Sequence, residues 1–466
     1  MSMSDRSAAS PARLLTIAEA LEVVRTHAHP LEAVRVPLVA AWDCALAEPI
    51  RADRDSPPFD KALMDGYAIR SADAGDRRDF EVLVVEEIPA GMVPSRQLGQ
   101  GESALIMTGA PLPEGADAVV PREWADDPAQ GRQTDRPLPR LVRLRPLTPV
   151  VPGVNVMVRG REMTAGEQVL TPPIQLTAVR LGLLASLGVA RPLVTRRPRL
   201  IVVPTGDELV EPDQPPGPGR IRNSNAFTLA ALARRAGAAP RIAPIVPDRL
   251  DDLREALRQA LDWADVVLVT GGVSAGDRDL VPAALESLGV RTLFHKVHLK
   301  PGKPLLFGVG PERTAATSEA APDHPAAFAP GPDRPPALVF GLPGNPVSGI
   351  VGFLLFVQPA LRLLSRCEED GTTESRNLQV RLATQFTHRG DRPTYHPARF
   401  VAQPHLVPSP HGLDQARQDQ GGPWVEPLAW AGSADLRTLA QADGFVVFEP
   451  GDAVYPIGAS RPFLSL

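Results

Sequence analysis

From about residue 197 the chain alternates apolar runs typical of buried strands with amphipathic helical segments, and this pattern strongly limits the folds it can adopt. The strand-like runs are RLIVVP, RIAPIV, DVVLVT and ALVFGL. The helical segments include NAFTLAALARR and DDLREALRQALDW. Such alternation builds a parallel sheet with helices on both faces, whose ligands bind beyond the carboxyl ends of the strands. We therefore predict a doubly wound, three-layer α/β domain over residues 196–368.

The segments on either side of this domain have the character of β structure. The N-terminal region, residues 1–195, begins with a helix at 16–27, where Thr16 and Glu19 fit a capping box, and contains an inserted β-rich subdomain at about 51–150. Short strand-like runs at 376–466 predict a small β-barrel. Residues 311–336 are rich in Ala, Pro and Asp, which predicts a disordered surface insertion. The 466 residues are thus expected to form a multidomain α/β and β protein.

The composition argues against several classes of protein. The net charge of −5 provides no electrostatic footprint for nucleic acid, so we predict no nucleic-acid partner. No apolar run is expected to reach membrane-spanning length, and the first residues have no hydrophobic signal segment, so no membrane partner is expected. The two cysteines, Cys44 and Cys367, have neither metal-ligand nor disulfide-framework spacing, which suits a reducing cytoplasm.

The lysines are few and clustered. Of 49 lysine and arginine residues only four are lysines, and Lys296, Lys300 and Lys303 lie within the segment KVHLKPGKP. Where arginine serves as the general surface cation, retained lysines indicate a need for compact point charges rather than a planar fork. A small oxyanion or phosphate fits that need, and a chance cluster in a basic turn is the alternative. The intervening Pro301 and Gly302 form a turn that aims two of these ammonium groups at one anion.

Polar and glycine-rich motifs follow the apolar strands. The motif TGDEL offers carboxylates, GGVSAGDRD offers a glycine turn, and GLPGNPVS leads into a helix whose N-terminus attracts anions. In this type of fold the three motifs meet at one edge of the sheet. We predict there a cradle for a phosphate-bearing ligand, with carboxylates that hold Mg²⁺ against it. The residues of this predicted cradle are Gly271, Gly272, Ser274, Gly341, Pro343, Gly344, Asn345 and Ser348.

The chain resembles the molybdopterin molybdenumtransferase family, to which the E domain of gephyrin is related. TGDEL, GGVSAGDRD, KPGKP and GLPGNPVS occur in the family's order, and SPPFDKALMDGYAIR and IMTGAPLPEGADAVVPRE resemble two further signatures. The resemblance covers nearly the whole chain. It implies that residues 196–368 form a molybdopterin-binding domain. It also implies a transferase reaction in which adenylylated molybdopterin and molybdate give molybdenum cofactor and AMP, with Mg²⁺.

The resemblance also implies roles for individual residues. It assigns molybdate to Lys300, Lys303 and Ser348, with Arg392 and Ser433 contributed by the last domain. The implied catalytic residues are Lys296, Lys300, Lys303, Asp65, Glu208 and Asp279. The region of the pterin nucleotide and the metal is implied to include Thr108, and the implied Mg²⁺ ligands are Glu162, Glu208, Asp248 and Asp279. The family arrangement is a homodimer in which the MDGYA segment of one chain completes the site of the other.

The individual carboxylates have simpler structural explanations. Asp207 or Glu208 can cap the start of a helix, and Asp248 can be the N-cap of the helix that follows it. Asp65 can close a turn with Gly66. The resemblance favours ligand roles over these local ones.

Some positions depart from the family pattern. Met157 and Glu162 stand where an arginine and an aspartate are usual, Asn223 replaces a common aspartate, and Ala434 replaces a common histidine. Methionine cannot replace an arginine contact to an anion. Two other functions therefore stay open: a molybdopterin adenylyltransferase, against which the extra domains argue, and a non-catalytic molybdopterin-binding scaffold or chaperone. The expected partners are the small-molecule substrates and a second copy of this chain. The adenylyltransferase of the same pathway and molybdoenzyme apoproteins are further expected partners.

Overall fold

A computed structural model describes residues 14–129, 138–273, 280–313, 334–367, 378–404 and 422–466. The chain forms two compact units. The first unit comprises residues 1–47, 173–181 and 191–466, and the second unit comprises residues 48–172 and 182–190. The division into residues 1–195, 196–368 and 376–466 stays a prediction. Most of the predicted insertion at 311–336 lies outside the described residues.

The first 195 residues form mainly short strands. The helices are α1 (Ile17–His27), α2 (Ser71–Ala74) and α3 (Ala178–Ser186), with 3₁₀ turns at Leu38–Ala40 and Arg122–Trp124. The strands are β1 (Ala33–Arg35), β2 (Ala45–Leu46), β3 (Ile50–Arg51), β4 (Lys61–Ala62), β5 (Gly66–Ile69), β6 (Phe80–Ile88), β7 (Glu102–Ile106), β8 (Ala118–Pro121), β9 (Ala125–Asp126), β10 (Arg140–Leu144), β11 (Val156–Met157), β12 (Gln168–Leu170), β13 (Ile174–Gln175) and β14 (Leu193–Thr195).

Helix α1 begins at the predicted capping box. The Glu19 N–H donates to Thr16 Oγ1 at 3.2 Å, and the Thr16 N–H donates to Glu19 Oε2 at 2.8 Å. Ala20 and Val24 on the buried face of α1 belong to the main core of the first unit. These reciprocal bonds satisfy two N–H groups at the helix start, which is why the helix begins where the sequence predicts.

The second unit is built on a six-stranded sheet in the order β8-β5-β7-β6-β10-β9. Alternate residues of its strands enter two separate cores, with Tyr67 and Val82 in one and Ala104 in the other. The Tyr67 hydroxyl donates to Asp127 Oδ2 at 2.7 Å, and Arg140 donates to the same buried carboxylate. The predicted β-rich character of the N-terminal region is confirmed.

Longer helices and a larger sheet follow. The helices are α4 (Asn225–Arg235), α5 (Leu250–Trp263), α6 (Leu280–Ser287), α7 (Pro346–Gly352) and α8 (Gln358–Leu364). The strands are β15 (Arg199–Pro204), β16 (Leu209–Val210), β17 (Ile221–Arg222), β18 (Ala239–Ile242), β19 (Val266–Thr270), β20 (Arg291–Phe294), β21 (Leu306–Val309) and β22 (Leu338–Leu342).

Six of these strands form one sheet in the order β18-β15-β19-β22-β21-β20. The first four are parallel, and β21 is antiparallel to both of its neighbours. Leu200 and Val202 of β15 share a core with Leu229 of α4, whereas Val203 shares the opposite core with Leu257 of α5. Helices therefore cover both faces of the sheet, and the predicted three-layer α/β domain is confirmed.

The helical segment after β22 corrects one expectation. It consists of α7, a π-helical turn at Phe353–Val357 and α8. Together Pro346–Leu364 span 19 residues and contain an 18-residue window with a mean hydropathy of 1.8, so the segment is long and apolar enough to cross a membrane. The expectation that no apolar run reaches this length was therefore wrong. In the structure 83% of this 18-residue window is buried inside the protein, and Val351 and Phe356 belong to the main core. The segment is therefore packed as a core helix of the first unit.

The last part of the chain closes into a barrel, as predicted. Its strands are β23 (Leu378–Leu382), β24 (Phe386–His388), β25 (Thr394–Val401), β26 (Trp424–Pro427), β27 (Gly444–Phe448), β28 (Ala453–Tyr455) and β29 (Ser460–Ser465), and its helix is α9 (Leu436–Leu439). The barrel order is β23-β26-β25-β27-β29, and β24 pairs with β28 beside it.

An aromatic cluster in this region holds a buried histidine. His396 on β25 is only 8% exposed. The centroid of its ring lies 4.6 Å from the ring centroid of Phe386 and 5.5 Å from that of Trp430. Its Nε2 is hydrogen-bonded to the Leu428 carbonyl oxygen at 2.8 Å. Burial lowers the pKa of His396 to about 4, because the apolar surroundings disfavour the charged ring.

We predict that His396 makes folding less favourable in mild acid. An unfolded histidine has a pKa of about 6.5, so below that pH the unfolded state binds a proton that the native state excludes. The free energy of unfolding should then fall as the pH decreases from about 6.5 towards 4, with about 2 kcal/mol lost through this group by pH 5. Urea unfolding at pH 7.5 and 5 should show a flatter pH dependence for His396→Gln than for the unaltered chain. The exposed His29→Gln serves as the control, and parallel profiles for His396→Gln and the unaltered chain would contradict the prediction.

Candidate functional site

The carboxyl ends of the parallel strands lie at one level. Pro204 of β15 pairs with Thr270 of β19, and Thr270 pairs with Leu342 of β22. Strand β21 runs in the opposite direction and begins beside the end of β22, with Leu306 opposite Gly341. The connection that enters β21 therefore arrives at the same edge, and it carries the three clustered lysines. We call this edge, formed by residues 205–208, 271–273, 295–305 and 343–348, the carboxyl rim.

Two glycines shape the turn after β19. Gly271 has φ +99° and Gly272 has φ +58°, and a Cβ on Gly271 would lie 2.3 Å from the Thr205 carbonyl oxygen. The Gly271 N–H donates to the Leu342 carbonyl oxygen at 3.2 Å. Beside this turn the Thr205 hydroxyl is buried, and it has no hydrogen-bond partner among the described residues. Close backbone packing and an unused hydroxyl group suit an oxyanion ligand.

The other predicted cradle residues occupy the turn between β22 and α7. A Cβ on Gly341 would lie 2.8 Å from the Val273 side chain, so glycine is needed where the two turns pack. Pro343 and Gly344 follow, and the exposed Asn345 is the N-cap of α7 without a side-chain hydrogen bond. Ser274 lies outside the described residues.

Asn225 joins the two turns, although sequence reasoning gave it no role. Its Nδ2 donates to Thr270 Oγ1 at 3.1 Å and to the Gly344 carbonyl oxygen at 2.7 Å. One amide group on the first residue of α4 therefore holds the ends of β19 and β22 together. The available signal was its place as the first residue of the predicted helical segment NAFTLAALARR.

The lysine connection brings unpaired cations to the carboxyl rim. Among the described residues, no carboxylate forms an ion pair with Lys296, Lys300 or Lys303, whereas the fourth lysine of the chain lies 3.9 Å from Glu162. Gly302 has φ +111°, and a Cβ there would lie 3.4 Å from the Ser348 carbonyl oxygen. The lysine turn therefore packs directly on the buried third residue of α7, which was assigned to the same anion.

Backbone hydrogen bonds attach this connection to the barrel region. The Lys300 N–H donates to the Pro393 carbonyl oxygen at 3.0 Å, and the Tyr395 N–H donates to the Lys300 carbonyl oxygen at 2.9 Å. Arg392 Nη1 donates to the Leu299 carbonyl oxygen at 3.2 Å. The structure thus brings the predicted Arg392 to the lysine connection, at the edge where the anion is expected.

Ser433 reaches the carboxyl rim from a different loop of the barrel region. Its carbonyl oxygen accepts from the Val347 N–H at 3.0 Å, next to Ser348. The predicted molybdate residues therefore all lie in the first unit, linked through α7 and the lysine connection.

His388 lies beside Lys300, and sequence reasoning missed it. The position of a Cβ on Gly390 is 3.6 Å from Lys300 Nζ and 3.5 Å from His388 Cε1. The His388 ring is buried and stacks on Phe448 at 5.6 Å, and its Nε2 has no hydrogen-bond partner within the described part of the chain. Burial, and then the positive charge of Lys300, lower the pKa of His388, so the ring is neutral at pH 7. His388 therefore adds no second positive charge beside Lys300.

Three of the four predicted metal ligands, Glu162, Glu208 and Asp248, lie within the described residues. Glu208 is exposed at the end of the TGDEL turn, and the Asp248 N–H donates to Asp207 Oδ1 at 3.2 Å, which joins the two acidic turns. Asp279 lies outside the described residues. The described ranges contain no group of three or more His, Cys, Asp or Glu side chains arranged to hold a metal ion.

The helix-capping explanations for these carboxylates were wrong. Strand β16, rather than a helix, follows Glu208. Helix α5 has Arg249 as its N-cap, and no side-chain hydrogen bond caps it. The departure at Asn223 has a local function, because its Oδ1 accepts from the Ala226 N–H at 3.3 Å at the start of α4.

The second unit carries the remaining predicted residues. Both the N–H and the hydroxyl of Thr108 donate to Asp65 Oδ1, at 2.8 and 2.7 Å. These bonds lower the pKa of Asp65, so this exposed carboxylate is ionised at neutral pH. Glu162 accepts from Ser56 Oγ at 2.7 Å and lies near Lys61. The structure thus pairs Asp65 with Thr108 and places Glu162 in a different unit from Glu208.

Comparison with known proteins agrees with this arrangement. Residues 15–188 match the MoeA N-terminal region (domains I and II), residues 201–363 match a probable molybdopterin-binding domain, and residues 379–465 match the MoeA C-terminal region (domain IV). The molybdopterin molybdenumtransferase of Nostoc sp. is 37% identical over 434 residues, which cover 92% of this chain and 88% of the relative. The chain belongs to the molybdopterin molybdenumtransferase family. The Bacillus subtilis enzyme of that name is 32% identical over 89% of this chain and 85% of its own length.

Solved structures support the same family. The molybdopterin biosynthesis MoeA protein of Pyrococcus horikoshii superposes with a TM-score of 0.71 at 26% identity, covering 97% of this chain and 99% of the other. The predicted family and the multidomain fold are therefore confirmed. The curated relatives in this family are enzymes, and their names describe them as transferases.

We predict that Gly271→Ala strongly destabilises the first unit. The added Cβ would meet the Thr205 carbonyl oxygen at 2.3 Å, and φ +99° is unfavourable for alanine. The expected loss in the free energy of unfolding is about 1–3 kcal/mol, measured by urea denaturation. Gly344→Ala is the matched control, since its Cβ would find no atom nearer than 3.9 Å. Equal losses in the two variants would show that the close approach at Gly271 is unimportant.

Proposed function

We propose that this chain inserts molybdenum from molybdate into adenylylated molybdopterin, giving molybdenum cofactor and AMP in a Mg²⁺-dependent reaction. The observation that carries the proposal is the group of three lysines at the carboxyl rim without a carboxylate partner in the described part of the chain. Cations gathered at a ligand-binding edge and left unpaired are suited to an anionic substrate. The names of the relatives support the choice of that substrate.

Molybdate is a tetrahedral dianion, and the donors at the carboxyl rim match it. Lys300 and Lys303 supply ammonium groups, Arg392 supplies a guanidinium group, and Ser348 supplies a hydroxyl donor. The sulfur ligands of molybdenum come from the pterin dithiolene, so the protein needs no thiolate at this edge. Consistent with this, the two cysteines, Cys44 and Cys367, are free, and burial raises the pKa of each thiol.

The glycine turns suit the phosphate groups of the nucleotide. Gly271 and Gly272 allow the turn to pack closely on Thr205, whose buried hydroxyl has no hydrogen-bond partner among the described residues. Lysine beside these turns can stabilise negative charge that develops on phosphoryl oxygens as AMP leaves.

Hard oxygen ligands fit Mg²⁺, and the exposed Glu208 and Asp248 on joined turns supply them. We propose that they hold the ion together with Asp279, and Glu162 remains a proposed ligand from the second unit. When bound, Mg²⁺ would offset charge on the phosphoryl oxygens.

We further propose a homodimer in which the Asp65–Thr108 pair of one chain serves the carboxyl rim of the other. The proposed ligand set is divided between the two compact units, and Asp65 is held ionised and exposed within the second. A two-fold arrangement lets each chain supply its pair to a partner.

The other proposed partners are the adenylyltransferase of the same pathway and molybdoenzyme apoproteins, and the proposed compartment is the cytoplasm.

We predict that the purified protein releases AMP from adenylylated molybdopterin only when molybdate and Mg²⁺ are present. Chromatographic quantification of AMP checks this. AMP formation that is indifferent to molybdate would contradict the proposal. Consumption of ATP with unmodified molybdopterin would indicate the adenylyltransferase alternative, and tight pterin binding without turnover would indicate the scaffold alternative.

We predict that Lys300→Ala and Lys303→Ala each strongly reduce molybdate-dependent AMP release while pterin nucleotide binding persists. Loss of one charge-assisted contact to the anion costs about 1.5–3 kcal/mol, or roughly 10- to 150-fold in molybdate affinity. A molybdate titration of AMP release measures the change. Arg254→Ala, on the exposed face of α5, is the control, and unchanged titrations for both lysine variants would overturn the assignment.

The shared-site dimer predicts complementation. A mixture of Asp65→Ala and Lys300→Ala chains should regain activity, because each heterodimer then has one site with both parts intact. Native mass spectrometry of chains that differ in mass establishes that subunits have exchanged. An inactive mixture in which heterodimers are present would contradict the shared site.

A further inference from the structure

Lys300 shares a small space in the barrel region with a buried histidine. The position of a Cβ on Gly390 lies 3.6 Å from Lys300 Nζ, and it lies 3.5 Å from Cε1 and 3.7 Å from Nε2 of His388. The Cε1–Nε2 edge of the imidazole ring and the ammonium group therefore border the same point. The main chain of the lysine is fixed here as well, because Lys300 forms a parallel bridge with Thr394.

The His388 ring is held in place by its own strand. It is the last residue of β24, where it pairs with Ala453 of β28, and it is only 4% exposed. Its ring stacks on that of Phe448, with the ring centroids 5.6 Å apart and the planes inclined by 15°. Strand pairing and stacking both restrict the side chain, so the ring keeps its position relative to Lys300.

One nitrogen of this ring is unused. His388 Nε2 is buried and has no hydrogen-bond partner among the described residues. A neutral imidazole carries a proton on one nitrogen and a lone pair on the other. Because the ammonium group of Lys300 is close, the lone pair is favoured over an N–H at Nε2. The ring can therefore accept a proton on the side that faces the lysine.

The charge of Lys300 opposes that protonation. Burial, and then the positive charge of Lys300, lower the pKa of His388, whereas Asp452 just before β28 raises it. Asp452 is exposed, so water screens its charge. His396 on β25 also faces this cluster, and it is neutral at pH 7 because its pKa is about 4. The protonation of His388 therefore depends on how far the charge of Lys300 is offset.

We propose that His388 is a positioning residue for Lys300 and that it makes anion binding at the carboxyl rim depend on pH. The inference rests on the proposed function in taking molybdate as the anion. A dianion bound to Lys300 offsets the charge that opposes protonation of the ring. The ring then takes up a proton from the solvent as the anion binds, and by linkage the anion binds more tightly as the pH falls through the titration of His388.

The first test measures the coupling between Lys300 and His388 without a ligand. In protein labelled with carbon-13 at the histidine Cε1 atoms, the His388 resonance is the one missing from His388→Phe. This variant keeps an aromatic ring against Phe448 and has no group that titrates. NMR titration should show a higher pKa of His388 in Lys300→Ala than in the unaltered chain, and no change in Arg254→Ala, on the exposed face of α5. An unchanged pKa in Lys300→Ala would overturn the proposal.

The second test measures anion binding by calorimetric titration with molybdate. We expect the unaltered chain to bind molybdate about threefold more tightly at pH 6 than at pH 7.5, which corresponds to a rise of about one unit in the pKa of His388. Titrations in two buffers of different ionisation enthalpy should show proton uptake at pH 6. The exposed His29→Gln should keep both effects. His388→Phe should lose both and keep its affinity at pH 7.5, whereas a purely structural residue would weaken binding equally at the two pH values.

The outcomes separate this inference from the proposed function. Saturable molybdate binding with the same pH dependence in His388→Phe and in the unaltered chain would overturn the role of His388 and leave the substrate unaffected. No saturable binding by the unaltered chain would contradict molybdate as the anion, and the inference with it. If circular dichroism shows that His388→Phe does not fold, His388→Gln replaces it with the same expectations, because an amide does not titrate either.

Discussion

The hydrogen-bonded register of β15, β19, β22 and β21 is the constraint on which the rest of the first unit depends. It places the residues after three parallel strands, and the residues before one antiparallel strand, at the same edge. The glycines allow the turns to meet there, and Asn225 joins two of them. A change of register in β21 would move the lysine connection away from the glycine turns, even if every side chain were kept.

The two kinds of cation have different functions in this chain. Arginines hold the structure together, as in the buried Arg196–Asp265 pair and in the carbonyl contacts of Arg334. Their planar forks suit such fixed, multiple contacts. The lysines at the carboxyl rim make no ion pairs within the described ranges and remain available for a ligand. The three clustered lysines therefore differ in their contacts from the buried arginines of the same unit.

The sequence was most informative where a local pattern determines the structure. The capping box predicted the start of α1, and apolar periodicity predicted the strands and helices of the sheet domain. Residues that are close only through tertiary contacts were missed. His388 approaches Lys300 because β25 pairs with the lysine connection, and no spacing in the sequence encodes that. Asp248 was hard to judge for the opposite reason: a carboxylate before a helix usually caps it, and only the fold shows that this one does not.

The pairing of Lys300 with Pro393 and Tyr395 has a consequence for dissecting the protein. These two main-chain bonds form a parallel bridge between Lys300 and Thr394, the first residue of the barrel strand β25. Local opening of β25 would break these bonds and release the lysine connection. Removal of residues 378–466 would take away the support that fixes Lys300, together with Tyr395, Phe445 and Leu464 of the main core. A fragment that keeps the carboxyl rim as it is in this structure therefore has to include the barrel.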